Sequence, residues 1–254
     1  MIFSKLRVLR SHGKQYIPRL QNVELPAIFR GRPELTYGLD SDKGGRIEAM
    51  CPSGAFSIAP FSIDLGRCTF CGECARYAPD HVRFTNDYRM ATNVRDNLVI
   101  TPGSPVRIEF DPEVGRDEIC RSYGRALKLR EVSAGGDNSC EMGLNASMNV
   151  NFDLGRYGIE FVASPRHADG LVITGPVTCN MADALDICYC SVAQPKLVIA
   201  AGCDAVSGGL FAGSPALDRS FFAANPPDLY LPGNPTHPIT FIDGVLTLLH
   251  HGRR

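Results

Sequence analysis

Leu65-Gly66-Arg67-Cys68-Thr69-Phe70-Cys71-Gly72-Glu73-Cys74 sets three cysteines at two-residue intervals. Cysteines at this spacing sit on one tight loop, so their thiolates converge on a single centre. Four residues beyond Cys74 stands Ala78-Pro79, and upstream stands Cys51-Pro52. Counting back from Cys51 at the same intervals reaches Ser41, Gly44 and Ile47. The chain therefore holds two copies of one pattern, and each copy alone looks broken.

The pattern is C-x2-C-x2-C-x3-C-P, the two-cluster iron–sulfur signature in which the fourth cysteine of each copy ligates the cluster held by the other copy. With that crossing applied, one site needs positions 41, 44, 47 and 78, none of which is cysteine. The other needs Cys51, Cys68, Cys71 and Cys74, and all four are present. Random decay would rarely remove every ligand of one site and none of the other. The expected cofactor is one 4Fe–4S cluster on those four cysteines. Four thiolates also suit tetrahedral zinc, but a two-spaced triplet followed by Gly72, with a distant Cys-Pro donor, favours iron–sulfur.

The chain has 254 residues, enough for two modest domains, and a net charge of −1 that gives no general case for nucleic-acid binding. Lys5, Arg7, Arg10, Lys14 and Arg19 fall in the first twenty residues with no acid among them. Such an arm could meet an acidic partner or a membrane surface, or simply be solvated. No run of apolar residues is long enough to span a bilayer, and no apolar core of a secretory signal follows the early cations. Ten cysteines in a chain read as cytoplasmic point to metal before disulfides. There is no P-loop, no G-x-G-x-x-G fingerprint and no readable Ser-His-Asp triad.

Residues 1–33 form a poorly periodic basic arm, 34–112 a small cysteine-, glycine- and proline-rich α+β domain, and 113–254 an α/β domain with a mainly parallel sheet. The two apolar pieces of Ala55–Ile63, broken at Ala59-Pro60, suit a hairpin or bulged turn. Residues 101–115 read as the linker. Beyond it, the pattern predicts helices over 117–130, 178–192 and 238–250, with strands at Ile159–Ala163, Leu171–Thr174, Leu197–Ala201 and Leu229–Leu231. Cys179, Cys188 and Cys190 fall on the second of these helices, where buried thiols would act as small hydrophobes.

Several long segments carry a resemblance. YGRALKLREVSAGGDNSCE, RYGIEFVASPRHADGLVITGPVT, PKLVIAAG, and DLYLPGNPTHP with IDGVLTLL resemble the small subunit shared by respiratory complex I and group 4 nickel–iron hydrogenases, nearest the formate-hydrogenlyase branch. FRGRPEL, LGRCTFCGEC and RFTNDY are similar to the ferredoxin subunit of the same complexes. The resemblance implies a fusion of two neighbouring subunits. Its fold would be a bacterial-ferredoxin-like domain followed by a flavodoxin-like domain of the complex I 20 kDa type.

In that family the small subunit holds a proximal 4Fe–4S cluster. The resemblance places its four ligand positions here at Asp137, Cys140, Asp204 and Asn234, so this cluster is not expected. Cys203 beside Asp204 leaves a mixed set, Asp137, Cys140, Cys203 and Asp204, as a minor candidate for a single metal ion and more readily a collapsed remnant. Glu141, Arg166 and His167 match family segments and are given no chemistry. The resemblance further implies a large subunit and other subunits as partners, a cytoplasmic site peripheral to the membrane, and outer-sphere electron transfer without catalysis by this chain alone. The alternative is a structural or redox-sensing paralogue whose cluster serves as a staple.

Overall fold

The computed structural model describes residues 2–13, 16–20, 23–114, 117–124 and 126–250, apart from the side chains of Asp117 and His250. Helix α1 (Ile2–His12) buries none of its residues. In the amino-terminal half follow β1 (Pro33–Leu35), α2 (Ser41–Met50), β2 (Phe56–Ile58), β3 (Phe61–Asp64), α3 (Glu73–Tyr77), β4 (Val82–Phe84) and β5 (Val99–Ile100). Strands β2 and β3 form the expected hairpin, turning at a cis Ala59-Pro60 with Phe56 opposite Ile63, and β5 pairs antiparallel on the far side of β3. Strand β1 pairs antiparallel with β4, so FRGRPEL and RFTNDY, distant in sequence, lie side by side. Ile47, Phe56, Ile63, Leu65, Phe70, Ala78 and Leu98 fill the core between these elements.

The positions counted back from Cys51 are helical. Asp40 caps α2 by accepting the Lys43 N–H at 3.0 Å, which satisfies one of the free donors at a helix start. Ser41 opens the helix, while Gly44 is buried against Ile58 and Ile47 is buried in the core. Ala78 is buried in the same core. Apolar packing thus occupies the ground that the first copy of the motif would need for a ligand loop.

The carboxy-terminal half comprises α4 (Asp117–Tyr123), β6 (Leu127–Ser133), α5 (Ser139–Ser147), β7 (Ile159–Phe161), β8 (Gly170–Thr174), α6 (Cys179–Ser191), β9 (Leu197–Ala201), α7 (Cys203–Ser207), α8 (Ser220–Ala224), β10 (Leu229–Leu231) and α9 (Pro238–His250). Its sheet is five-stranded and wholly parallel, in the order β10-β9-β8-β6-β7. Alternate residues of each strand face opposite layers. Leu127, Leu129, Val172, Leu197 and Ile199 pack with Ile119, Leu144, Phe241 and Val245 from α4, α5 and α9. Val132, Leu171, Ile173 and Val198 pack with Leu185 and Phe221 from α6 and α8. This is a helix–sheet–helix sandwich, and burial on both faces explains why β8 and β9 are continuously apolar.

One expected element needs correction. The helix predicted over 117–130 stops at Tyr123, before Gly124, and Leu127–Ser133 becomes strand β6. Leu127 and Leu129 satisfy a helical stripe and a strand alternation alike. The position between β7 and β8, with parallel pairing on both sides, settles the choice. A second correction concerns α6: Cys188 packs partly against the core, but Cys179 and Cys190 are exposed, because only one stripe of a sheet-covering helix faces inward.

The two halves share packing. Ala200, Ala205 and Val206 of the sheet domain belong to the same apolar cluster as Cys68 and Phe70. Thr92 and Tyr230 exchange backbone hydrogen bonds. Residues 108–111 of the expected linker are fastened: the Glu109 carbonyl accepts from Thr92 and Asn97, and Asn93 and Asp111 bond each other twice. Of the expected arm, Ile17, Val23, Leu25 and Phe29 pack against the main sheet core. The stretch 115–116 of the expected linker lies outside the described residues.

Two outcomes test these contacts. A Cβ on Gly31 would fall 2.2 Å from the Asp87 carbonyl oxygen, on backbone that cannot yield. Gly31→Ala should therefore lower unfolding free energy by about 1–3 kcal/mol in denaturant titration. The second concerns Glu131, on the α5-facing side of β6. Burial, then the neighbouring charge of Glu141, pushes its carboxyl up to about 7. The folded chain thus keeps a proton that the unfolded chain loses near its ordinary value, so stability falls as pH rises from about 4.5 to 7 and stays lower above. Glu131→Gln should remove that fall. Because the group is partly solvated, the expected gain is a melting temperature higher by roughly 2–4 °C at pH 8, with no difference near pH 4.

Candidate metal centre

Cys51 is at the carboxyl end of α2, where its extended backbone and the following Pro52 stop the helix. Cys68, Cys71 and Cys74 lie on the loop between β3 and α3. Phe70 has φ 53° and Gly72 has φ 82°. Two left-handed residues fold the chain back on itself within five positions, and at Gly72 the absence of a side chain makes this inexpensive. Asp64 fastens the start of the loop: one carboxylate oxygen accepts the Gly66 N–H at 2.8 Å and both oxygens receive the Arg95 guanidinium. Arg30 donates to the Phe70 carbonyl on the outer side.

All four cysteines line one cavity, walled by Ile47, Ala55, Phe56, Ile63 and Phe84. Each is an unbonded thiol. Burial pushes the Cys68 thiol far up and the Cys74 thiol up to about 11. Backbone N–H groups oppose this, from Phe70 to Cys68 Sγ at 3.3 Å and from Ala75 to Cys74. Four thiols in an apolar pocket, with N–H donors aimed at sulfur, match what a thiolate-ligated iron–sulfur cluster requires: soft donors, a low-dielectric wall and hydrogen bonds that offset the negative charge. Among the described residues, no three His, Cys, Asp or Glu side chains converge closely enough to grip a single metal ion. The cysteines surround a space rather than meeting at a point.

The second set of residues singled out in the sequence lies at the carboxyl ends of the parallel strands. In such sheets this edge is where ligands gather, especially where the chain order reverses, here between β6 and β8. Cys140 is buried in α5, its Sγ against Gly202 after β9, and receives the Thr236 N–H; burial pushes it up to about 11. Cys203 is fully buried, pushed up by burial and then by Asp204, whose Oδ1 lies 3.6 Å from its Sγ. Asp204 is itself raised by burial. Asp137 instead is exposed and accepts from the Ser139 hydroxyl and from the Ser139 N–H, which keep its carboxyl low. Asn234 is half-buried before a cis Pro235. The structure thus packs Cys140, Cys203 and Asp204 side by side, with Asp137 exposed but near enough for its charge to act on Cys140 and Asp204.

Glu141, unassigned in the sequence, is buried and accepts from Ser133 Oγ at 2.5 Å and Thr174 Oγ1 at 2.7 Å, tying α5 to β6 and β8. Arg166 and His167 are exposed on a short turn beside the sheet. Sequence reading missed Arg219, whose guanidinium donates to the carbonyls of Pro176, Asp204, Ala205 and Val206 and so caps α7. It also missed Arg30, although FRGRPEL contained it. The two sets of residues adjoin: Val206 of α7 touches Gly66 beside the cysteine loop. Thr69, Phe70 and Cys71 share a cleft of about 340 Å³ with Gly143, Pro232, Asn234 and His237.

The sequence profile of NADH ubiquinone oxidoreductase, 20 Kd subunit, matches residues 138–248, the span that supplies α5 and the rest of the sheet beyond β6. The chain is 33% identical over 132 residues to the probable membrane-bound hydrogenase subunit mbhJ of Pyrococcus furiosus, covering 52% of this chain and 79% of that protein. It is 33% identical over 149 residues to formate hydrogenlyase subunit 7 of Escherichia coli, covering 58% of each. To an NADH-quinone oxidoreductase subunit of Desulfovibrio desulfuricans it is 37% identical over 127 residues, covering 50% of this chain and 68% of that one. Through its parallel-sheet domain, the chain belongs to the family of the NADH ubiquinone oxidoreductase 20 Kd subunit.

Proposed function

We propose that this chain is an electron-transfer subunit of a membrane-associated oxidoreductase of the hydrogenase or complex I kind, carrying one 4Fe–4S cluster on Cys51, Cys68, Cys71 and Cys74. The observation that carries this reading is that those four free thiols line one apolar cavity. Three of them come from a loop with two left-handed residues, and the fourth from a helix end more than a dozen residues upstream. The relatives are, by their names, subunits of a membrane-bound hydrogenase, a formate hydrogenlyase and a quinone oxidoreductase. Among the described residues no helix is long and apolar enough to cross a membrane, so in this reading the chain is held at a cytoplasmic membrane face through partner subunits.

When bound, the cluster supplies one-electron redox capacity. The chain's own residues set its surroundings. Ile47, Phe56, Ile63 and Phe84 keep water from the sulfurs. The N–H groups of Phe70 and Ala75 stabilise thiolate at Cys68 and Cys74. Cys71 is exposed and opens on the cleft shared with Asn234 and His237, which gives a partner its nearest approach to the centre. In this reading the chain fuses a ferredoxin-type domain to the 20 kDa-type domain. Of the two ferredoxin clusters one is erased under α2, and the proximal cluster is replaced by the packed Cys140, Cys203 and Asp204 remnant.

A second reading has a specific observation in its favour. At the sheet edge Cys140 and Cys203 stand beside Asp204 and Asn234, a donor set short of the four cysteines that a second cluster would take. A non-catalytic or redox-sensing paralogue would keep the docking fold and use the cluster to hold the loop.

Purification without oxygen, with iron and sulfide assay, EPR and a redox titration, tests both readings. About four irons and four sulfides per chain are expected, with a reversible signal on reduction. Replacing Cys51, Cys68 or Cys74 by Ser should remove most of the iron and lower the melting temperature, whereas Cys190→Ser at the exposed end of α6 should leave both unchanged. Zinc in place of iron, or iron retained after loss of Cys51, would sink the cluster assignment. A full cluster that resists reduction across the biological range would decide for the structural paralogue.

A further inference from the structure

The amino-terminal helix has no role in the sheet domain or in the cysteine pocket. None of α1 is buried; Phe3 is 85% exposed and Leu9 66%. At 100° per residue, Ile2, Phe3, Leu6 and Leu9 share an arc of about 120°. Lys5 and His12 border one side of this arc, Arg7 the other, and Arg10 lies within it near its carboxyl end. Ser4, Val8 and Ser11 lie on the opposite face. No acid occurs before Glu24.

The described stretch 16–20 beyond the helix is held on the fold. The Ile17 N–H donates to the Asn151 carbonyl at 2.9 Å, and Arg156 stacks 5.3 Å from the Tyr16 ring while donating to the Ile17 carbonyl. The Tyr88 hydroxyl donates to the Leu20 carbonyl. Met148 and Val150, both exposed, precede this anchor in the α5–β7 connection. None of the described residues of the helix is buried, so its apolar strip packs on no core.

We infer that α1 is an in-plane anchor for an anionic lipid surface, with Ile2, Phe3, Leu6 and Leu9 entering the headgroup–acyl boundary and Lys5, Arg7 and Arg10 meeting lipid phosphates. Charge complementarity selects this occupant. A protein groove for an apolar helix normally has a rim of mixed sign and is poor in lysine. Here Lys5 and Arg7 flank the strip, Arg10 lies within it and no acid is near, and the long aliphatic stems of these cations let the charge rise to the headgroups while the stem stays on the apolar face. At 11 residues the helix is about 16 Å long, half of what a span requires, so it lies in the interface and does not cross. The anchor acts through this chain's own residues, separately from any attachment by partner subunits, and touches none of the four cysteines.

Sedimentation of the full chain with phosphatidylcholine vesicles, with and without phosphatidylglycerol, tests it. The chain should bind the anionic vesicles, release them as salt is raised, and leave neutral vesicles unbound. Replacing Lys5, Arg7 and Arg10 together by Gln should weaken binding on the order of a hundredfold, since each cation near an anionic surface contributes several-fold. Leu6→Gln with Leu9→Gln should abolish it. Because α1 buries nothing, both variants should keep the parent's melting temperature and iron content. The chain has no tryptophan, so Phe3→Trp supplies a single indole whose emission should shift to the blue only on anionic vesicles. Equal binding to neutral and anionic vesicles, no binding by the intact chain, or binding unchanged in both multiple variants would overturn the inference. So would loss of a partner subunit from the Leu6/Leu9 variant while vesicle binding persists, which would assign the helix to a protein groove.

Discussion

The amino-terminal half is arranged around a loop that can be neither helix nor strand. Left-handed backbone at Phe70 and Gly72 turns Cys68, Cys71 and Cys74 toward the space that Cys51 reaches from the end of α2. Such a loop is costly to hold, since few of its backbone groups can join a regular ladder. Its restraints come from around it: Asp64 and Arg95 at the entry, Arg30 over the Phe70 carbonyl, and α3 at the exit. The short strands have little cohesion of their own, and the hairpin and the β1–β4 pair serve mainly to bring these restraints together.

The same loop rests on the sheet domain. Ala205 and Val206 of α7 pack into the cysteine domain's core, and α7 is fixed in turn by the four carbonyl contacts of Arg219. The carboxyl edge of a parallel sheet leaves strand ends and loop backbone open, and here that edge is closed by a neighbouring domain and by buried thiols. Cys140 and Cys203 are packed inside the sheet domain, and of the loop cysteines Cys68 is buried while Cys71 is exposed. The two sets differ in their neighbours: four cysteines line the loop cavity, whereas Cys140 and Cys203 share the sheet edge with Asp204.

Much of this was legible beforehand, and for definite reasons. Strands β9 and β10 and helix α9 were expected at their observed bounds, because a doubly buried strand is uniformly apolar and a proline opens a helix. The hairpin at Ala59-Pro60 was visible from its break between apolar pieces. Strand β6 was not, since two leucines two residues apart serve either period. The outward turn of Cys179 and Cys190 also escaped, because residue type alone does not say which stripe of α6 meets the sheet. Helix α1 lay in a stretch that looked aperiodic: an 11-residue strip carrying Arg10 within it is too short and too mixed to declare itself.

The sequence by itself singled out the four cysteines that the structure lines around one cavity, because the crossing rule concerns spacing, and spacing is complete in one dimension. It also determined the alternation of strands and helices that yields a parallel sheet. Only the tertiary structure decided what became of the other positions. That Gly44 and Ile47 are buried on a helix, that Cys140 and Cys203 are buried while Asp137 is exposed, and that α7 supports the cysteine loop all depend on contacts between segments far apart in the chain. Burial, which separates a closed thiol from an open one, is a property of those contacts and has no local signature.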